Sequence, residues 1–222
     1  MIKKFLLLLL IFNLTPQTSS AAAPQELNLS RLNTSQLEDI YEYYDYKGVR
    51  GYLMLPGYHY PPIYLSSFPT DFDAVADEQK RIALFIKILA PLALRFNQQT
   101  LEQRQVIEQI KQNFDKNHEL SAEESRIIEK TAAEYDVFTR LKGYQRHKFL
   151  LTELLNRVDA IPPSFLIAAA AMETNWGTSR IVKEGNSLYK QLVWHSDKGL
   201  KPRGETEDDT YRIRTFPTIY DS

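Results

Sequence analysis

The segment IPPSFLIAAAAMETNWGTSR, residues 161–180, runs from a proline pair through four alanines to Glu173, three residues ahead of Trp176-Gly177. Pro162-Pro163 marks a helix start, because proline's fixed φ suits the first turn and its missing N–H costs nothing there. The spacing predicts a helix from Pro163 to about Asn175. Ala168 to Ala171 give it small faces on which a neighbouring helix can approach closely and bury its end. A glutamate at such an end, flanked by Met172 and Trp176, would sit where apolar neighbours disfavour the charged form. That is the setting a general acid needs. The alternative is an ordinary exposed helix residue.

Upstream, Asp71 to Phe114 carries a 3.6-residue period: Ile82, Phe85, Ile86 and Leu89, then Leu92, Leu94 and Phe96, then Leu101, Val106, Ile107 and Ile110. Two helices broken near Asn97-Gln98-Gln99-Thr100 fit this stretch, with Thr100 capping the second and Gln103 completing a capping box. Ser121 and Glu124 have the same spacing and predict a helix through Ile127, Ile128 and Ala132. Another is expected from about Arg146 to Val158, with Phe149, Leu150, Leu154 and Leu155 inward. Downstream of Gly177 the chain turns polar. Thr210 to Phe216 alternates as a strand does, and Arg203 to Asp209 reads as a hairpin arm or turn. The fold class is mainly α with a small β element near the end.

Residues 24–70 carry eight of the thirteen tyrosines, with Pro56, Pro61, Pro62 and Pro69, and no sustained helical period. They read as an irregular arm whose rings dock it on the helical body or, alternatively, offer a sugar-stacking surface. The N-terminus has Lys3-Lys4, an apolar run from Phe5 to Leu14, and a polar stretch closing on Ala21-Ala22-Ala23. This is the pattern of a secretory signal peptide, residues 1–22, and the run is far shorter than the roughly 20 apolar residues of a membrane span. A periplasmic or secreted protein without stable membrane insertion follows as the expectation.

Of 222 residues 43% are hydrophobic and 25% charged, an ordinary globular balance, and there is no cysteine. The 27 basic and 28 acidic side chains become 25 and 28 when Lys3 and Lys4 are removed, a formal charge of −3. Nothing in this balance, and no basic stripe, suggests nucleic acid. The histidines at 59, 118, 147 and 195 lack the spacing of a zinc site, and there is no Gly-rich phosphate loop or Gly-x-Ser-x-Gly elbow. Neither metal nor organic cofactor is expected. Carboxylate chemistry remains.

The stretch IPPSFLIAAAAMETNWGTSRIVKEGNSLY, residues 161–189, resembles the signature of bacterial glucosaminidase-type peptidoglycan hydrolases, a run of the form Ala-x-x-Glu-Ser-Xaa-Trp-Gly-x-Ser followed by Asn-Asn-Leu-Phe-Gly. Within that family it looks most like the Bax-type exported proteins, with VDAIPPS, LKPR, FP and the upstream FPTDFDAVADEQKRIALFIKILAPLALRFNQQ pointing the same way. The resemblance covers roughly residues 68–222 and implies a lysozyme-like α-rich domain (146–222) with a small β-hairpin lobe. A helical region (71–145) and the tyrosine-rich arm (23–70) precede that domain.

By the same resemblance Glu173 matches the glutamate that donates a proton to the glycosidic oxygen, and Trp176-Gly177 the turn that shapes the cleft floor. Asn186-Ser-Leu-Tyr189-Lys190 matches the second motif, with lysine replacing its glycine. Trp176, Asn186, Tyr189 and Glu205 are the candidate sugar-binding residues. The family places a second carboxylate in the β lobe; Glu207 is the favoured match, with Glu205 and Asp208 behind it. A retaining, an inverting and a substrate-assisted course all stay open. In the family a further helix follows the hairpin and supplies a tyrosine. The sequence reaches Tyr220-Asp221-Ser222, so the resemblance implies either a fragment or an active site without that part. The implied activity is cleavage of the N-acetylglucosaminyl-β-1,4-N-acetylmuramic acid linkage in peptidoglycan glycan strands. A lytic transglycosylase and a non-catalytic wall-binding or scaffolding module are the alternatives.

Overall fold

A computed structural model of the chain describes residues 27–46, 60–194, 199–202 and 211–222. In chain order these form β1 (Leu27–Leu29), α1 (Thr34–Tyr43), β2 (Ile63–Leu65), α2 (Glu78–Asn117), α3 (Ala122–Glu134), α4 (Gly143–Arg157), α5 (Pro163–Thr174), α6 (Arg180–Gly185), β3 (Leu192–Trp194) and β4 (Tyr211–Ile213), with a 3₁₀ turn at Phe72–Ala74. The described residues are mainly helical, 58% of them in helix, with a small β lobe near the end. The signal-peptide assignment lies outside the described residues, as does the expected turn at Arg203 to Asp209.

α2 is one helix of 40 residues, about 60 Å long at 1.5 Å per residue, and not the expected pair. The polar run at Asn97–Thr100 does not break it because two of its side chains serve contacts elsewhere. Asn97 grips the chain ahead of α5, donating to the Ile161 carbonyl at 2.6 Å and accepting from its N–H at 3.0 Å. Thr100 is buried in the helix and caps nothing; Asp77 is the N-cap, accepting from the N–H groups of Gln79 and Lys80. Leu101 and Val106 lie 40% and 46% exposed, so the inward face runs through Thr100, Ile107 and Ile110 instead.

Pro91 sits inside α2 and cannot donate to the carbonyl of Lys87, four residues earlier. The Tyr46 hydroxyl donates to that carbonyl at 3.1 Å. Tyr46 is buried just beyond α1, so the arm supplies the hydrogen bond that the proline removes.

That arm is not irregular throughout. Asn33 and Gln36 form a capping box, the Asp71 carboxylate accepts from both the N–H and the hydroxyl of Thr34 at 2.7 Å, and Leu37 and Tyr41 face inward four residues apart. These contacts make α1 a helix despite its tyrosine-rich tail. β1 and β2 pair in parallel, Leu27 opposite Ile63 and Leu29 opposite Leu65. Its rings do dock on the body: Tyr41 and Tyr46 meet edge to face at 4.9 Å within the core.

The expected capping box of α3 is present, Ser121 and Glu124 each accepting from the other's backbone N–H. α4 matches its predicted span within a few residues, although Phe149 is exposed and Leu151 takes the inward place. Two buried clusters result. One joins α1, the first half of α2, α5 and α6 around Tyr46, Phe68, Phe72 and Phe85; the other joins the second half of α2 to α3 and α4 around Ile107, Phe114, Ile128, Leu150 and Leu154. Among the described residues no helix is long and apolar enough to cross a membrane.

Candidate active site at the end of α5

α5 forms as predicted, from Pro163 to Thr174, and its alanines divide by face. Ala170 and Ala171 are buried in the cluster shared with α2, while Ala168 is exposed. The small faces therefore seat one side of the helix, and the side carrying Met172 and Glu173 remains open. Met172 is 85% exposed and Glu173 is exposed beside it. The apolar wall expected around this carboxylate is not formed, because the face that packs is one step around the helix from it.

No carboxylate-stabilising partner explains Glu173. Among the described residues it has neither hydrogen bond nor ion pair. It also stands in the last turn of α5, where the aligned carbonyls of the helix disfavour negative charge. A carboxylate placed to stabilise a helix belongs at the other end.

Behind Glu173 the chain reverses through three successive residues with positive φ, Asn175 at 48°, Trp176 at 55° and Gly177 at 79°. Asparagine and glycine accept this region; a tryptophan rarely does. Gly177 is required twice over. Beyond its φ, a Cβ there would stand 2.8 Å, 3.0 Å and 3.1 Å from ring carbons of Phe68, Phe72 and Phe85. The turn is thereby seated on three aromatic rings, and the half-buried Trp176 indole meets Phe85 edge to face at 5.6 Å.

Asn186 ends α6 with φ 49°, and its side-chain amide donates to the carbonyls of Phe216 at 3.2 Å and Pro217 at 3.1 Å. It ties the segment after β4 to α6, so its N–H groups serve the fold. Lys190, where the resembled motif has glycine, has φ 49°, the backbone region that glycine enters without strain. The lysine thus preserves the glycine-like backbone. Tyr189 is half-buried; its hydroxyl donates to the Leu166 carbonyl at 3.4 Å, and burial pushes its pKa up.

Tyr189 faces an apolar cleft of about 280 Å³ between the first half of α2, the start of α5 and residues 219–222, with Phe96, Leu166, Leu188 and Tyr220 in its wall. Glu173 is not in that wall. It lies six residues beyond Ile167, the last α5 residue of the cleft, or about 9 Å along the helix. Glu173 and Trp176 thus flank the end of α5, the carboxylate exposed and the indole packed on Phe85, while Tyr189 lies in a separate depression.

β3 and β4 pair antiparallel, Leu192 opposite Ile213 and Trp194 opposite Tyr211. β4 falls within the predicted strand; β3, three residues long, carries no period that could announce it. The candidate carboxylates Glu205, Glu207 and Asp208 lie outside the described residues. Among the described residues no group of three His, Cys, Asp or Glu side chains could hold a metal.

Sequence reasoning missed Thr174, whose wholly buried hydroxyl touches both sides of the turn. Its signal was available: a β-branched polar residue inside an apolar run, next to an Asn that ends the helix. No family model, curated protein or solved structure matches the chain.

Proposed function

We propose that this is an exported peptidoglycan hydrolase, periplasmic or secreted, that cleaves the N-acetylglucosaminyl-β-1,4-N-acetylmuramic acid linkage with Glu173 as general acid. The observation that carries the reading is the Glu173 carboxylate: exposed, unpaired among the described residues, set against the helix dipole, and adjacent to a rigidly seated tryptophan turn. Among the described residues it makes no hydrogen bond or ion pair that would serve the fold. The resemblance of residues 161–189 to glucosaminidase-type hydrolases supplies the substrate class.

In this mechanism a sugar lies against Trp176 and covers Glu173. Glu173 donates its proton to the leaving glycosidic oxygen as the glycosidic bond breaks. A second carboxylate, Glu207 or its neighbours Glu205 and Asp208, activates water or stabilises the oxocarbenium-like transition state. The reaction needs no cofactor.

The test is digestion of purified peptidoglycan by the chain from Ala22 to Ser222, with products identified by mass. Reducing N-acetylglucosamine ends are expected. Anhydromuramic ends would replace hydrolysis by transglycosylation. A non-catalytic wall-binding module is the second reading, favoured by the separation of Glu173 from the cleft that holds Tyr189. It predicts glycan binding without turnover, unaffected by Glu173→Gln.

A further inference from the structure

Thr174 is wholly buried, in the last turn of α5 and immediately after Glu173. Its hydroxyl works in both directions. It donates to the Ala170 carbonyl at 2.5 Å, one turn back, and accepts from the Gly177 N–H at 3.0 Å, across the reversal. The Thr174 carbonyl then accepts from the Ser179 N–H at 2.9 Å, and Trp176 N–H donates to the Ala171 carbonyl at 3.1 Å. One side chain therefore locks the end of the helix to the centre of the turn.

The turn needs such a lock. Three positive φ values in succession, one of them at a tryptophan, are not held by local preference. The rings of Phe68, Phe72 and Phe85 leave room for Gly177 only without a side chain. They set where Gly177 can be and not which way its N–H points. The Thr174 hydroxyl sets that direction, and among the described residues no other partner takes the Gly177 N–H.

We propose that Thr174 is a positioning residue whose hydroxyl holds the 175–177 turn and so sets Trp176 relative to the Glu173 carboxylate. This inference rests on the reading of Glu173 as the proton donor. A displaced indole would let the sugar sit off the carboxyl group, and misplacement on the ångström scale costs up to about 100-fold in rate. Binding across the rest of the surface would change little, so the loss falls on kcat and not on KM.

The test compares Thr174→Val, which keeps the shape and removes the hydroxyl, with Thr174→Ser, which keeps the hydroxyl. Both are made in the chain from Ala22 to Ser222 carrying Trp194→Phe, so that Trp176 is its one indole. Trp176 emission and its quenching by acrylamide are read together with kcat and KM on a soluble peptidoglycan glycan fragment. The expected result for Thr174→Val is a shifted, more readily quenched emission and a kcat lower by about 10- to 100-fold at similar KM, with Thr174→Ser close to the parent. Parental emission and kcat in Thr174→Val would overturn the proposal, as would an equal defect in Thr174→Ser, which would assign the effect to packing. Failure of the underlying reading looks different: Glu173→Gln would turn over like the parent while Thr174→Val still shifted the emission. That outcome removes the catalytic role and leaves Thr174 only as the holder of the turn.

Discussion

The two halves of α2 pack into cores built on different plans. Around its second half the buried residues are mainly aliphatic, Ile107 and Ile110 of α2 with Ile128, Leu150, Leu151 and Leu154, and the helices α3 and α4 that supply the last four are neighbours in sequence. Around its first half aromatic rings are added to the aliphatic side chains and come largely from distant segments, with Tyr46, Phe68 and Phe72 joining Phe85 of α2 against α5 and α6. The aliphatic half is held by regular helix chemistry. The aromatic half holds backbone that no regular element would adopt, and the candidate site stands on that half.

Glycine substitution gives the sharpest way to break the comparison. Gly177→Ala forces a Cβ to within 2.8 Å of Phe68 at φ +79°, whereas Gly143→Ala at φ +54° meets nothing within 4 Å. The first is expected to cost about 2 to 5 kcal/mol, the second about 1 to 2 kcal/mol from the backbone alone. Urea unfolding of both variants checks this, and equal losses would mean that the aromatic seat is soft.

A smaller effect probes the link between the arm and α2. Tyr46→Phe leaves the Lys87 carbonyl without the hydroxyl that replaces Pro91's missing N–H, an expected loss of about 1 to 3 kcal/mol. Tyr144→Phe, on the aliphatic half and 42% exposed, should change stability by no more than about 0.5 kcal/mol. Thermal unfolding of the pair tests whether the proline repair is specific.

The smallest expected effect belongs to the aliphatic half. Arg146 grips Glu129 through two contacts, at 2.8 Å and 2.6 Å, and this hydrogen-bonded guanidinium holds the Glu129 carboxyl below its ordinary value of 4.5. A depressed carboxyl contributes stability above its unfolded value and loses it as pH falls through the folded one. Because both side chains are partly exposed, the contribution is about 0.5 to 1 kcal/mol at neutral pH after screening. Glu129→Gln should therefore be the less stable protein at neutral pH, and the difference should shrink as the pH falls below the ordinary carboxylate range.

The aliphatic half was largely legible in the sequence, and the reason is local. Ser121 and Glu124 announce α3 by themselves, and the leucines of α4 repeat at helical spacing. α5 was equally plain from Pro163 and its apolar run. The rest of the aromatic half was not, because its rules are long-range. The polar run in α2 looked like a break until Asn97 could be seen holding Ile161, and α1 depends on Asp71, 37 residues from the Thr34 it satisfies. Glu173 stood out as a candidate, but its environment depends on which face of α5 meets α2. The four alanines do not specify that face; Ala170 and Ala171 pack, and Glu173 stays open.

The central claim is that Glu173 serves chemistry and not the fold. It is tested most directly by the ratio of turnover on purified peptidoglycan between Glu173→Gln and the parent chain, with unfolding measured on both. The account predicts a loss of at least about 100-fold with stability unchanged or slightly raised. A glutamine variant that turns over like the parent, or that loses activity only because it unfolds, would contradict it.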